Sequence, residues 1–172
     1  MNKDNGGGGK MSVRRLTELA MLSAAALIIF IVELRIPDLS PVYGVKLGLA
    51  NIITVYCVYR YKPYEAALVT AVRVILGAFF AVSFTTILFS AAGAALCLLG
   101  MIPVSRLLPK CPVWVTSVIG AVLHNIGQIT AAVLYMNTTK VLVYLPVLLL
   151  SGVIAGAFTG LCAQLVISRI RL

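Results

Sequence analysis

Residues 113–136, VWVTSVIGAVLHNIGQITAAVLYM, form a long run without a single Asp, Glu, Lys or Arg. A transmembrane helix needs about 20 consecutive, mainly apolar residues, and this run is long enough. Pro112 precedes it and the polar stretch that starts at Asn137 follows it, so both ends are marked. The run therefore predicts a helix that spans a membrane.

The rest of the chain has the same character. Of its 172 residues 61% are apolar and only 11% are charged, with a mean hydropathy of +1.05. Soluble domains carry about 25% charged residues, so water could not solvate such a surface. Residues 1–14, with four consecutive glycines at 6–9, predict a disordered cytoplasmic tail, and residues 15–172 predict one transmembrane domain.

Prolines and short polar turns divide this domain into six hydrophobic segments. The predicted fold is an all-α integral membrane protein with six transmembrane helices. The predicted spans are residues 16–34, 45–59, 64–82, 84–108, 113–136 and 141–167.

Basic residues predict the orientation of these spans. With six spans, both termini share one side with the loops that contain Arg60 and Lys110. Ten of the fourteen Lys and Arg residues fall on that side, which is therefore predicted to be cytoplasmic. Because these residues punctuate hydrophobic runs and do not form one polar face, the net charge of +9 does not indicate nucleic-acid binding.

Polar side chains inside the spans are the candidates for function, because they are costly in hydrocarbon. Counted at ~1.5 Å per residue, six of them lie between mid-membrane and the outer surface. They are predicted to line one ligand-binding cavity: Lys46, Asn51, Arg73, His124, Asn125 and Gln128. The last three share one helical face, although such residues also act as hydrogen-bonding glue between helices.

Arg73 gives the strongest indication of a ligand, because an arginine in mid-span needs an anion. If Glu33 pairs with Arg35 or Lys46, the pocket keeps a positive charge and favours an anionic ligand. A buried ion pair between Arg73 and Glu33 is the structural alternative.

Small residues recur every four positions on two spans. Gly152, Gly156 and Gly160 predict close helix packing on the sixth span. Ala20 and Ala24 form a similar stripe on the first span, where a partner helix could dock.

Catalytic and metal-binding motifs are missing from the sequence. The four cysteines are scattered without a CxxC spacing and predict neither a disulfide framework nor a zinc site. The single histidine, His124, has no acidic residue near it in sequence, so an intramembrane acid–base enzyme is the least favoured interpretation. No cofactor, metal site or catalytic residue is predicted.

Four segments carry a family resemblance: GVKLGLAN at 44–51, VRVILG at 72–77, GAVLHNIGQ at 120–128 and YLPVLLLSG at 144–152. They resemble a family of bacterial six-span proteins known as heptaprenyl diphosphate synthase component I, or the Gx transporter family. The chain is also similar to the S-components of energy-coupling factor (ECF) transporters. That second resemblance implies a substrate-binding helix bundle in the bacterial plasma membrane. It also implies that Ala20 and Ala24 match the contact for a transmembrane coupling subunit, which works with separate ATPases.

These resemblances imply two functions that the sequence leaves open. The first is an S-component-like subunit of an importer, which captures a polar or anionic small molecule from outside. The second is a non-catalytic membrane subunit of an isoprenoid, lipid or redox assembly. Prenyl diphosphate synthesis uses Mg²⁺ held by clustered aspartates, and this chain has only Asp4 and Asp38, both outside the spans.

Overall fold

The computed structural model describes residues 12–35, 48–81, 84–108 and 110–169, and this part of the chain is almost entirely helical. The elements, in chain order, are α1 (Val13–Arg35), α2 (Asn51–Arg60), α3 (Pro63–Ala81), α4 (Phe84–Leu107), α5 (Val113–Met136), a 3-10 helix (Thr139–Tyr144) and α6 (Leu145–Arg169).

Within the described residues, five helical segments are long and apolar enough to cross a membrane: α1, α3, α4, α5 and the last segment, Thr139–Arg169. The all-helical membrane class predicted from the sequence is therefore confirmed, and α5 has the predicted bounds. The predicted tail falls mostly on residues outside the described part, but Val13 and Arg14 are already helical.

The second predicted span differs from the structure. Its helix was predicted from Val45, whereas α2 begins at Asn51 after a turn at Gly48 and has only ten residues. Ten residues rise roughly 15 Å, about half of the ~30 Å hydrocarbon core, so α2 alone does not qualify as a span. Gly48 has φ +64°, a conformation that interrupts a right-handed helix and favours glycine.

Local sequence explains several of the other helix ends. Pro63 starts α3, where its missing N–H costs no helical hydrogen bond. Asn137 ends α5 in the left-handed region, with φ 47°, which Asn tolerates better than most residues. The Thr138 side chain then caps the 3-10 helix by accepting the Lys140 N–H at 3.4 Å.

Glycines bring the neighbouring helices close to α5. A Cβ added to Gly156 would lie 2.8 Å from Val118 Cα, and one added to Gly160 would lie 2.5 Å from Trp114 Cα. Gly152 faces the Asn125 side chain in the same way, so the predicted glycine stripe of α6 packs directly on α5. On the opposite side, Gly127 of α5 meets the backbone of α4 at Ala92.

One end of the bundle is closed by an ion-pair cluster. Arg15 of α1 donates two hydrogen bonds to Glu65 of α3, of 2.6 and 2.7 Å, and Glu65 is fully buried. The Tyr61 ring, between α2 and α3, lies under the Arg15 guanidinium. The Tyr61 backbone carbonyl accepts a hydrogen bond from Arg106 of α4. Burial, with the nearby Glu18 carboxylate, raises the pKa of Tyr61 to about 12, so its hydroxyl still donates to Glu18 at neutral pH.

Candidate functional site

A cavity of about 340 Å³ lies in the half of the bundle opposite the Arg15–Glu65 pair. Its walls come from the second halves of α1, α3 and α5, the first residues of α2, the first halves of α4 and α6, and the 3-10 helix. This volume falls at the lower end of the range of small-molecule pockets, about 300–1,000 Å³.

Five of the six polar residues singled out in the sequence line this one cavity: Asn51, Arg73, His124, Asn125 and Gln128. The sixth, Lys46, lies outside the described residues. Arg73 comes from α3, Asn51 from α2 and the other three from α5, so three different helices bring their polar groups together.

The turn before α2 places Asn51 at the cavity. The Gly48 N–H donates to the carboxylate of Glu33, at the end of α1, and the Asn51 N–H closes the turn on the Gly48 carbonyl at 2.8 Å. Non-helical backbone is tolerated at membrane depth where it is buried in protein or lines a cavity, and Gly48, Ala50 and Glu33 all line this one.

Arg73 and Glu33 line the same cavity without forming an ion pair. Among the described residues neither side chain has a salt-bridge partner, so the buried Arg73–Glu33 pair considered from the sequence is not formed. Glu33 does not pair with Arg35 either; its carboxylate accepts the Gly48 N–H, and Lys46, the other partner considered from the sequence, lies outside the described residues. The described lining therefore contains one carboxylate and one guanidinium, not a net positive charge.

Along the bundle, the helix position of Phe30 lies between those of Glu33 and Arg73. Phe30, one turn before Glu33 on α1, packs on Gly77, one turn after Arg73 on α3, where an added Cβ would lie 2.8 Å from Phe30 Cε1. Both helices run from the Arg15–Glu65 end toward the cavity. Arg73 therefore lies deeper than Glu33 by about two turns, roughly 10 Å at ~1.5 Å per residue.

The polar face of α5 is partly committed to helix packing. Asn125 Nδ2 donates to the Leu148 carbonyl of α6. His124 and Gln128 pack on Gly93 of α4, where an added Cβ would lie 2.9 Å from His124 Cε1 and 2.8 Å from Gln128 Cγ. The interpretation as hydrogen-bonding glue thus applies to Asn125, although the same residue also lines the cavity.

Three other polar side chains are open to the cavity. Within the described part of the chain, no fully buried side-chain nitrogen or oxygen lacks a hydrogen-bond partner. The side chains of Asn51, Arg73 and Gln128 make no hydrogen bond to a described residue, so their polar atoms must be accessible from the cavity. Accessible donors in an otherwise apolar lining are a common feature of ligand pockets.

A layer of buried hydroxyl groups forms the floor of the cavity. Thr159, at the deep end of the lining, shares a hydrogen bond of 3.2 Å with Ser117, and both side chains are almost completely buried. One turn of α5 away from the cavity, Thr116 shares a 2.7 Å hydrogen bond with Tyr59.

Several residues that line the cavity were not predicted from the sequence. Ser90, Ser151 and Tyr144 contribute hydroxyl groups, and Phe30 and Phe89 contribute aromatic rings. Isolated serines and aromatic residues are common in transmembrane helices, so only their placement marks them. Gly48 was detectable in principle, because a glycine inside a predicted helix can mark a turn.

Metal-binding side chains do not cluster here: the described residues contain no group of three or more His, Cys, Asp or Glu that could hold a metal ion. The Ala20 and Ala24 stripe lies elsewhere, on an exposed face of α1.

The fold and the cavity define a multi-pass α-helical membrane protein with a polar pocket inside its helix bundle. A family model described as heptaprenyl diphosphate synthase component I matches residues 22–166, and the chain belongs to this family. No curated protein and no solved structure matches the chain.

Proposed function

We propose that this protein is the substrate-binding subunit of a small-molecule importer, comparable to an ECF transporter S-component. One observation carries the proposal: Arg73, Asn51 and Gln128, from three helices, present to one cavity polar atoms that have no partner among the described residues. An arginine in the hydrocarbon region is expensive, at least ~2.5 kcal/mol on insertion scales. A polar or anionic ligand that binds it would offset this cost.

The arrangement of the helices supports a six-span topology with both termini in the cytoplasm. Because α1 and α3 run in the same direction, the chain must cross back between them, and in this proposal the predicted second span, of which α2 is the described part, makes that crossing. Arg14, Arg60, Lys62, Lys110 and Arg169 belong to the end of the bundle opposite the cavity. By the positive-inside rule that end is cytoplasmic, and the cavity receives its ligand from outside.

Two further sequence predictions belong to this proposal. Lys46 lies outside the described residues and stays a predicted ligand contact. Ala20 and Ala24 form a docking face for the transmembrane coupling subunit, because both are exposed and small enough for close helix contact. In this proposal the chain is not an enzyme and takes no cofactor, and separate ATPases supply the energy.

The family description favours a second function, a non-catalytic membrane component of a heptaprenyl diphosphate synthase. In that case the chain works with a separate catalytic subunit. The exposed apolar surfaces would then contact that subunit, and the cavity would not need to exchange a water-soluble ligand.

Copurification separates the two functions. The full chain is purified in mild detergent and its small-molecule content is measured by mass spectrometry, together with Arg73→Gln and the control Arg60→Gln. Arg60 is an exposed arginine at the end of α2, away from the cavity. A polar metabolite that is retained by the wild type and by Arg60→Gln but lost from Arg73→Gln supports the importer function. A copurifying prenyltransferase subunit, with no metabolite that depends on Arg73, supports the second function instead.

A further inference from the structure

We infer that the cavity binds a small zwitterion, with an anionic group at Arg73 and a cationic group at Glu33, joined by an apolar body that packs on Phe30. This inference rests on the proposed ligand-binding function and specifies its ligand class. It follows from the charges, their spacing and the aromatic residue between them.

Charge balance is the first argument. Glu33 and Arg73 are the carboxylate and the guanidinium of the described lining, and they do not pair with each other. A ligand with only a negative charge would bind Arg73, but it would also bring an anion into the cavity that Glu33 lines. The low dielectric there strengthens the repulsion between the ligand and the Glu33 carboxylate. A neutral ligand would leave both charges without a partner. A ligand with one charge of each sign satisfies both.

The geometry of Glu33 allows it to take part. Its Oε1 accepts the Gly48 N–H, which fixes the position of the carboxylate at the cavity wall. A carboxylate has about four acceptor sites, so this one bond leaves Glu33 able to accept from a ligand ammonium. Glu33 also lines the cavity although only 7% of its surface is exposed, so a ligand there would replace most of its remaining water.

Spacing gives the shape of the ligand. The depth difference between Arg73 and Glu33 is roughly 10 Å along the helix axes. The two side chains shorten the gap that a ligand must bridge, so a flexible ligand whose charges are separated by several carbons suits the site better than an α-amino acid. Phe30 packs on Gly77 between the two levels and lines the cavity, so it faces the middle of such a ligand. Apolar contact there favours a hydrocarbon or aromatic body between the charged ends.

Three matched probes test the inference on the purified full-length protein. These are 6-aminohexanoate, which carries both charges, 6-hydroxyhexanoate, which carries only the carboxylate, and 6-aminohexanamide, which carries only the ammonium. Affinities are measured by isothermal titration calorimetry. We expect 6-aminohexanoate to bind at least tenfold more tightly than either singly charged probe, and more tightly than glycine.

Two site variants should each remove one of these binding preferences. Glu33→Gln keeps an oxygen for the Gly48 N–H but removes the charge, so it should lose the preference for 6-aminohexanoate over 6-hydroxyhexanoate. Arg73→Gln should lose the preference over 6-aminohexanamide. The controls are Glu18→Gln and Arg60→Gln, at the other end of the bundle, which should bind as the wild type does. Monodisperse elution and a cooperative thermal transition establish that each variant is folded.

The outcomes separate this inference from the function on which it rests. If 6-hydroxyhexanoate binds as tightly as 6-aminohexanoate, or if Glu33→Gln leaves the preference unchanged, the ligand is not a zwitterion and the inference is wrong, while an anion-binding subunit remains. If none of the probes binds, the inference is also wrong. The proposed function is then decided by whether a copurified metabolite depends on Arg73.

Discussion

The Arg15 guanidinium and the Glu65 carboxylate join the first turns of α1 and α3 through two parallel hydrogen bonds of 2.6 and 2.7 Å. They are separated by 50 positions in the sequence. The Glu65 side chain is fully buried, whereas about 40% of the Arg15 side chain remains exposed. The pair holds α1 against the bundle at the end where the cavity is closed.

Arg15→Gln should destabilise the protein, because it leaves the buried Glu65 carboxylate with only the Lys62 backbone N–H as a partner. The expected loss is about 1–3 kcal/mol, the usual cost of an unsatisfied buried polar group. Arg14→Gln is the matched control: its 3.4 Å pair with Glu18 is exposed and should contribute almost nothing. Thermal unfolding in detergent measures the stability of both variants. Equal midpoints would argue against a stabilising role for the Arg15–Glu65 pair.

Gly156→Ala and Gly160→Ala should each lower stability by about 1–3 kcal/mol, as overpacking does. The new methyl group would meet the α5 backbone, which cannot move without shifting the helix. Gly100→Ala is the control, because its methyl group would meet only the end of the Leu123 side chain, which can rotate away. Unfolding midpoints of the three variants compare these cases, and a loss in Gly100→Ala as large as in the other two would contradict the explanation.

Gly48→Ala should cost about 1–2 kcal/mol, because its φ of +64° disfavours any residue with a Cβ. A Cβ at this position has nothing within 4 Å, so the cost comes from the backbone alone. Gly48→Asn should therefore cost less than Gly48→Ala, since Asn tolerates the left-handed region. If Ala and Asn give the same unfolding midpoint as Gly, the turn before α2 does not have this conformation.

Single cysteines test the proposed topology in intact cells. In a variant without the four native cysteines, Cys at Gly8 should resist a membrane-impermeant maleimide, and Cys at Lys140 should react. Lys140 belongs to the exposed 3-10 helix at the cavity end. Labelling after cell lysis shows that both sites are reactive. Reaction at Gly8 in intact cells would reverse the proposed orientation.

The double variant Ala20→Leu, Ala24→Leu should release a coupling subunit if the importer proposal is correct. Both positions are exposed on α1, so the larger side chains should leave the fold intact while preventing close helix contact. Met21→Leu, an exposed substitution of similar volume on the same helix, is the control. Partner content after affinity purification gives the readout, and an unchanged complex in the double variant would exclude this docking face.

Much of the fold follows from local sequence. Four of the helices begin and end close to the predicted positions, because hydropathy sets their length and proline or Asn137 sets their ends. The second span was predicted incorrectly at Gly48, because its apolar residues were read as one continuous helix although the glycine could have marked the turn. Five of the polar residues line one cavity, while their estimated depths in the membrane stay a prediction: Asn51, Arg73, His124, Asn125 and Gln128.

The sequence by itself determined the all-helical membrane class and the shared face of His124, Asn125 and Gln128 on α5, because these depend on composition and helical period. Only the tertiary structure decided which charges pair. Glu65 binds Arg15 rather than Arg73, and Glu33 binds the Gly48 backbone. The physical reason is that an ion pair depends on distances between helices far apart in the sequence, which helical periodicity does not specify. That pairing leaves Arg73 and Glu33 facing one cavity with opposite charges, neither of which has a salt-bridge partner in the described part of the chain.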